Sequence, residues 1–328
     1  MTGTALALHG GAGAFSSARI PAARVEEMRR DLSAALDAGT ALLRRGASAL
    51  EAVVAAVSVL EDSRVFNAAR GAVLRRDGSV RLDASVMCGA TQRAGAVSLL
   101  RRVQNPVQLA RALLEREQEV LLCGEEADEL AGELGLALQP PEYFITDYRR
   151  RQLERLLERS PGAVADASRA DATHEPDQEG EEEGQTVGAV ALDRAGHLAA
   201  ATSTGGTTAA RVSRIGDSPV LGAGTWASDQ SCAVSATGAG EFFLRAAFAH
   251  DVHARLTWQG VSLEQAASQA LAHVVHLGGH GGCVAIDRDG NITLPFTTLA
   301  MPRAYQSAAG QRQVWVLERH ELGPAGRD

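Results

Sequence analysis

The chain has 328 residues, 45% of them apolar and 22% charged, with 34 glycines and a formal charge of −8, a composition that can bury a sizeable core and excludes a disordered or fibrous chain. All 32 basic residues are arginine, so a pyridoxal Schiff base, a phosphate-loop lysine, a kinase strand lysine and a side-chain amine nucleophile are excluded. The acidic balance repels phosphate backbones, and no apolar run approaches the roughly eighteen residues of a membrane helix, so neither nucleic acid nor membrane is an expected partner.

In chain order, Ala5–Leu8 reads as a short strand entering the glycine-rich turn His9-Gly10-Gly11-Ala12-Gly13-Ala14. Apolar residues at three- and four-residue spacing predict helices near Ala23–Arg45 and Ala47–Glu61. Asp77-Gly78 between Ala72–Arg75 and Val80–Val86 reads as a hairpin, and Arg93–Leu100 as a buried strand. Asn105-Pro106 starts a helix, and helices are expected to continue to about Ser160. From Asp166 to Glu183 eight acidic side chains face a single arginine. So polar a stretch, at about 160–185, cannot bury enough surface to offset its ordering entropy and reads as a solvated linker.

After it the pattern turns to strands. Thr186–Leu192 and His197–Ser203 flank a tight turn, and a strand ending at Ala236 runs through Thr237-Gly238-Ala239-Gly240-Glu241 into a helix to about Leu256. A helix follows Ser262, and Gly282–Asp287 with Asn291–Phe296 forms a hairpin about Asp289-Gly290. Strand pairs joined by hairpins, then helices, argue an antiparallel α+β layered fold rather than βαβ winding.

Four scattered cysteines without CxxC spacing and an N-terminus with no basic residue before Arg19 suit a cytoplasmic protein. Neither Gly11-x-Gly13 nor Gly238-x-Gly240 completes a dinucleotide fingerprint, and His9-Gly10-Gly11 lacks the G-x-S-x-G of an α/β-hydrolase. His250 with His253, and His273 with His276 and His280, have helical spacing for a metal, but no third ligand is named by it. Thr186 is the most pointed feature. If the chain were cut before it, the residue would carry an α-amine, of ordinary pKa about 7.7–8.0, beside its own hydroxyl, so nucleophile and base would come from one residue.

Seven motifs in order carry a family resemblance: HGGAGA at His9–Ala14, VFNA at Val65–Ala68, LDASVM at Leu82–Met87, TVGAVALD at Thr186–Asp193, AATSTGG at Ala200–Gly206, RIGDSP at Arg214–Pro219 and TGAGE at Thr237–Glu241. From Leu8 to about Tyr305 the chain resembles the plant-type L-asparaginases, or isoaspartyl peptidases, among the N-terminal-nucleophile hydrolases. The resemblance implies an αββα four-layer sandwich and a homodimer of protomers, each cut between Gln185 and Thr186 into an α subunit, 1–185, and a β subunit, 186–328, of one structural domain. It implies Thr186 as nucleophile, oriented by Thr204, with Asn67 beside it and an oxyanion hole of the Thr237 hydroxyl and the Gly238 N–H. Arg214 would take the substrate α-carboxylate, and Asp217 with the Gly240 carbonyl the α-ammonium, of L-asparagine or a β-aspartyl dipeptide. No cofactor is implied for catalysis. A structural sodium ion would be held by backbone carbonyls of Leu60, Glu61, Ser63, Phe66, Ala68 and Arg70, anchoring Asn67.

The chain departs from the family pattern at several supports. Gln185 stands where glycine usually precedes the nucleophile, and a larger residue restricts the strained conformation an acyl shift needs. Asn67-Ala68-Ala69-Arg70-Gly71 replaces NAGxG, and Met87-Cys88-Gly89 replaces Met-Asp-Gly. The segment before Arg214 lacks the usual Pro-Gly, and Phe296–Met301 replaces FNTEGM. The competing readings are a glycosylasparaginase-like amidase, an uncut and catalytically silent amino-acid-binding relative, and a histidine-based metal-binding module.

Overall fold

The computed structural model describes residues 3–14, 20–159 and 186–317. The expected acidic linker and Gln185 lie outside the described residues. Among these, twelve strands form two sheets. The larger sheet holds β1 (Ala5–His9), β2 (Leu82–Cys88), β3 (Ala94–Leu100), β4 (Leu121–Cys123), β5 (Val187–Leu192), β6 (Leu198–Thr204), β11 (Arg303–Gln306) and β12 (Arg312–Trp315). Its order is β12-β11-β1-β5-β6-β2-β3-β4. The smaller holds β7 (Thr225–Ala227), β8 (Cys232–Gly238), β9 (Gly281–Asp287) and β10 (Ile292–Thr293), in the order β10-β9-β8-β7. Every neighbouring pair is antiparallel except β3 with β4, which are parallel.

Period-two side-chain alternation divides the core. On β5, Val187, Ala189 and Ala191 join an apolar cluster with helices α1 (Ala22–Arg44), α2 (Ala49–Asp62) and α3 (Pro106–Arg116) through Leu36, Val53, Val57 and Leu113. The alternate residues Val190 and Leu192 instead meet Ala233 of β8 and Val284 and Ile286 of β9, so the two sheets face each other. On the other side of β8 and β9, Val234, Ala236 and Cys283 pack under α6 (Gly240–Ala246), α7 (Phe248–Ala254) and α8 (Leu263–His276) through Phe243, Phe248, Val252 and Leu271. Small residues let the sheets approach closely: a Cβ on Gly188 would lie 1.9 Å from Ser235 Oγ. Local signals set the helix starts, since Ser48 and Ser262 each form a complete capping box, with Glu51 and Gln265.

The expected strands and helices recur with shifted ends, with some corrections. Ala72–Arg75 is not a strand: the Asp77-Gly78 turn closes through Arg75 N–H to Ser79 O but leads into β2 from a loop. The region in which helices are expected to continue to about Ser160 also contains β4, between α3 and α4 (Glu125–Glu133), ahead of α5 (Asp147–Arg159). The helix expected to run to about Leu256 is broken at Ala247, whose φ of +45° is left-handed, and ends in a π-turn at Arg255–Gln259. No helix among the described residues is long and apolar enough to cross a membrane.

Candidate active site

Thr186 sits immediately before β5 and is buried. Its strand lies between β1 and β6, and β6 ends at Thr204. The Thr186 hydroxyl donates to Thr204 Oγ1 at 3.2 Å, and the Gly206 N–H donates to the same oxygen at 3.0 Å. Asn67 grips the turn that follows: its Nδ2 donates to Gly206 O at 2.7 Å, and its carbonyl accepts the Gly205 N–H at 3.1 Å. Its own amide oxygen accepts the Val73 N–H at 2.8 Å, which fixes the side chain. A Cβ on Gly205 would come 2.4 Å from Asn67 Oδ1, so only glycine permits this approach. Thr186 and Thr204 are thus in contact, and Asn67 holds the Gly205–Gly206 turn that follows Thr204.

Thr237 and Gly238 end β8 at the same end of the sheets. His9 pairs with Gly188, so the chain leaving β1 toward Ala12 passes beside Thr186, and the Ala12 N–H donates to Thr237 Oγ1 at 3.1 Å. Gly238 has φ +152°, and a Cβ there would lie 2.4 Å from His280 O. Behind these residues a buried polar chain crosses between the sheets, from Ser85 Oγ to Thr225 Oγ1 (2.8 Å), Thr202 Oγ1 (2.5 Å), Ser235 Oγ (2.7 Å) and His9 Nε2 (3.0 Å). Burial pushes the His9 imidazole down to about 3, so the ring is neutral.

Arg214 and Asp217 flank Gly240. One point, the place a Cβ on Gly240 would take, lies 2.8 Å from Asp217 Oδ1 and 2.9 Å from Arg214 Nη2. The two are not paired with each other. Arg214 instead holds Glu241 in a two-pronged bridge, Nε to Oε1 and Nη2 to Oε2, each 2.9 Å. Burial would lower the guanidinium pKa, but the carboxylates around it, Glu241 first and then Asp217 and Asp83, together outweigh it and hold it above its ordinary value. Burial pushes the Asp217 carboxyl up to about 7 against the pull of Arg214, and its Oδ2 has no hydrogen-bond partner among the described residues.

The last turn of α2 and the loop after it carry the carbonyls expected to hold an ion. Ser63 O and Phe66 O converge on Gly71, where a Cβ would lie 3.0 and 2.1 Å from them. Leu60 O accepts the Ser63 N–H and Ala68 O the Gly71 N–H, at 3.3 and 3.1 Å. The Arg70 guanidinium lies over the Tyr143 ring, 4.9 Å from its centroid. The Glu61 side chain is engaged elsewhere, accepting from Ser203 Oγ at 2.6 Å and the Val107 N–H at 3.0 Å. The histidine spacings do not assemble a metal centre: no group of three or more potential ligands occurs among the described residues.

Sequence reasoning assigned nothing to Glu241, His9, Ser235 or Arg75. Arg75 is fully buried, 4.0 Å from Asp83 Oδ2, and a Cβ on Gly206 would lie 2.7 Å from its Nη2. Glu241 and His9 stand inside quoted motifs, but only the fold shows what they touch.

A buried threonine hydroxyl stands at the start of a central strand, and a guanidinium and a carboxyl group flank Gly240, an arrangement that suits a hydrolase of the nucleophilic-threonine kind. A family model described as asparaginase matches residues 2–316. The chain is 44% identical over 301 residues to the isoaspartyl peptidase of Escherichia coli (strain K12), covering 92% of each chain. It is 43% identical to the isoaspartyl peptidase of Salmonella typhimurium, covering 93% of this chain and 96% of that one. It is also 35% identical to a probable isoaspartyl peptidase/L-asparaginase of Arabidopsis thaliana, covering 97% of this chain and all of the other. The chain belongs to the asparaginase family, a family of hydrolases.

Proposed function

We propose that this protein is a self-processing threonine hydrolase that cleaves β-aspartyl dipeptides and L-asparagine to L-aspartate. The observation that carries the reading is the Thr186 hydroxyl, buried at the head of β5 and bonded to Thr204 Oγ1 at 3.2 Å. In maturation the Thr186 oxygen attacks the Gln185 carbonyl, the acyl group moves from nitrogen to oxygen, and water releases residues 1–185 and 186–328. The free α-amine then takes the hydroxyl proton, and Thr186 Oγ1 attacks the side-chain carbonyl of the substrate. The Thr237 hydroxyl and Gly238 N–H receive the oxyanion, a role in which one donor is typically worth about 3–4 kcal/mol. The amine returns its proton to the departing ammonia or amino acid, and water hydrolyses the aspartyl ester. Arg214 takes the substrate α-carboxylate, while Asp217 and the Gly240 carbonyl take its α-ammonium.

The apolar clusters from helix to sheet, sheet to sheet and sheet to helix support an αββα four-layer architecture. The neutral oxygen set of Leu60, Glu61, Ser63, Phe66, Ala68 and Arg70 suits a hard cation such as sodium, which would brace the loop carrying Asn67. We place the protein in the cytoplasm as a homodimer of cut protomers. Intact mass spectrometry of the purified protein beside Thr186→Ala tests the reading. The expected result is two pieces, 1–185 and 186–328, from the wild type and a whole chain from the variant, with β-aspartyl dipeptide and asparagine turnover in the first alone. Two whole chains without turnover would favour the silent amino-acid-binding reading.

A further inference from the structure

The substrate head site has an unsolved electrostatic problem unless a third residue is included. Arg214 and Asp217 carry opposite charges, Asp217 is buried and Arg214 half-buried, and both reach within 3 Å of one point beside Gly240. Asp217 Oδ2 has no partner among the described residues, and a buried unpaired carboxylate oxygen costs enough to draw in the nearest cation. If Arg214 closed onto Asp217, the α-carboxylate clamp and the α-ammonium acceptor would be lost together. Arg214 does not close, and Glu241 is the residue holding it.

The geometry of the grip matters. Glu241 occupies the Nε and Nη2 side of the guanidinium, at 2.9 Å on both prongs. That leaves the Nη1–Nη2 end open. This end lies over two glycines, since a Cβ on Gly216 would come 2.8 Å from Nη1 and a Cβ on Gly240 2.9 Å from Nη2. A planar fork can serve two carboxylates at once, one along its side and one at its end. We propose that Glu241 is a positioning residue of the head site, which keeps Arg214 off Asp217 and presents the open end of its guanidinium to the substrate α-carboxylate. The inference rests on the proposed reading of Arg214 and Asp217 as the head site.

The charged groups facing Asp217 are Arg214, Glu241 and Asp83, and Arg75 adds its charge beside Arg214. Removing Glu241 lets Arg214 pair with Asp217. Substrate affinity then drops, and the Asp217 carboxyl moves back toward its ordinary range.

The experiment is steady-state hydrolysis of L-asparagine from pH 5 to 8 by the wild type, Glu241→Ala, Glu241→Gln and Arg214→Met, with intact mass confirming the cut before Thr186. Glu241→Ala is expected to raise KM by about tenfold or more while kcat changes by less than about threefold. Its acid limb of kcat/KM should shift down by about one pH unit or more. Glu241→Gln, which keeps an acceptor but not the charge, should fall between. An unchanged KM, or a lowered one showing that Glu241 competes with the substrate, overturns the proposal, as does an unmoved acid limb. So does a Glu241→Gln chain that folds but stays uncut. If Arg214→Met itself leaves KM unchanged, the head-site reading fails; if only the Glu241 variants do so, that reading stands and this inference alone falls.

Discussion

In the proposed head site Asp217 would carry a conflict between stability and binding within one side chain. Burial holds its carboxyl near pH 7 in the ligand-free site. Its pKa is thus above the unfolded value, so its protonated form favours the folded state at acid pH and that contribution is lost as pH rises through about 7. Binding works in the opposite direction, because only the charged form accepts an α-ammonium. Inhibition by L-aspartate, the proposed product, should therefore be flat above pH 7 and weaken about tenfold per unit below it. Asp217→Asn should bind weakly at every pH and show no such limb between 5 and 8. Measuring the inhibition constant rather than kcat keeps the result clear of the α-amine that the proposed cut would free on Thr186, whose ordinary pKa of about 7.7–8.0 lies close by and which would act on the chemical step. A pH-independent inhibition constant in the wild type would remove Asp217 from the head site.

At the level of elements, the legible parts of the sequence were those with short-range causes. Strand pairs about tight turns marked β5, β6 and β9, three- and four-residue apolar spacing marked α1 and α2, and Ser262 marked the start of α8. β4, β7, β11 and β12 have three or four residues each and no glycine-marked turn on both sides, so nothing local distinguishes them from loop. The site divided in the same way. Thr186, Thr204, Thr237 and Arg214 were read from motifs, but the grip of Glu241 on Arg214 spans 27 positions and has no spacing signature. The break between α6 and α7 was hidden for another reason: an alanine stands at the left-handed position where glycine is the usual signal. That alanine is exposed, so little packing is lost by removing its methyl. A left-handed conformation costs an L-residue roughly 1–2 kcal/mol, against about 0.5–1 kcal/mol for the extra chain entropy of glycine. Ala247→Gly should consequently stabilise the protein by about 0.5 kcal/mol, seen as a thermal midpoint about 1–2 °C higher at a matched state of cleavage. A lowered midpoint would show that the break is held by contacts rather than strained.

For the whole molecule, a cut before Thr186 would fall at a seam rather than between two bodies. The piece ending at residue 185 supplies β1 to β4, and the piece beginning at Thr186 supplies β5 to β12. In the larger sheet β1 lies between β11 and β5, and β2 pairs with β6, so three ladders join the two pieces. The helix-side core is shared too, with Leu6, Leu36 and Val57 meeting Val187, Ala189 and Ala304. The ladder of β5 begins at Val187 opposite Ser203 and at Gly188 opposite His9, so releasing the Thr186 nitrogen costs none of its rungs. The cut protein should therefore elute as one particle in native buffer while giving two chains under denaturing conditions. The two pieces made separately should each aggregate, since β1, β2, β5, β6 and β11 would present unpaired edges. Separate elution of the two pieces from freshly cut protein would mean that the seam does not hold, and a seam that opened on cutting would lose the hold of Asn67 on Gly206 and the Ala12 N–H bond to Thr237, both of which cross between the pieces.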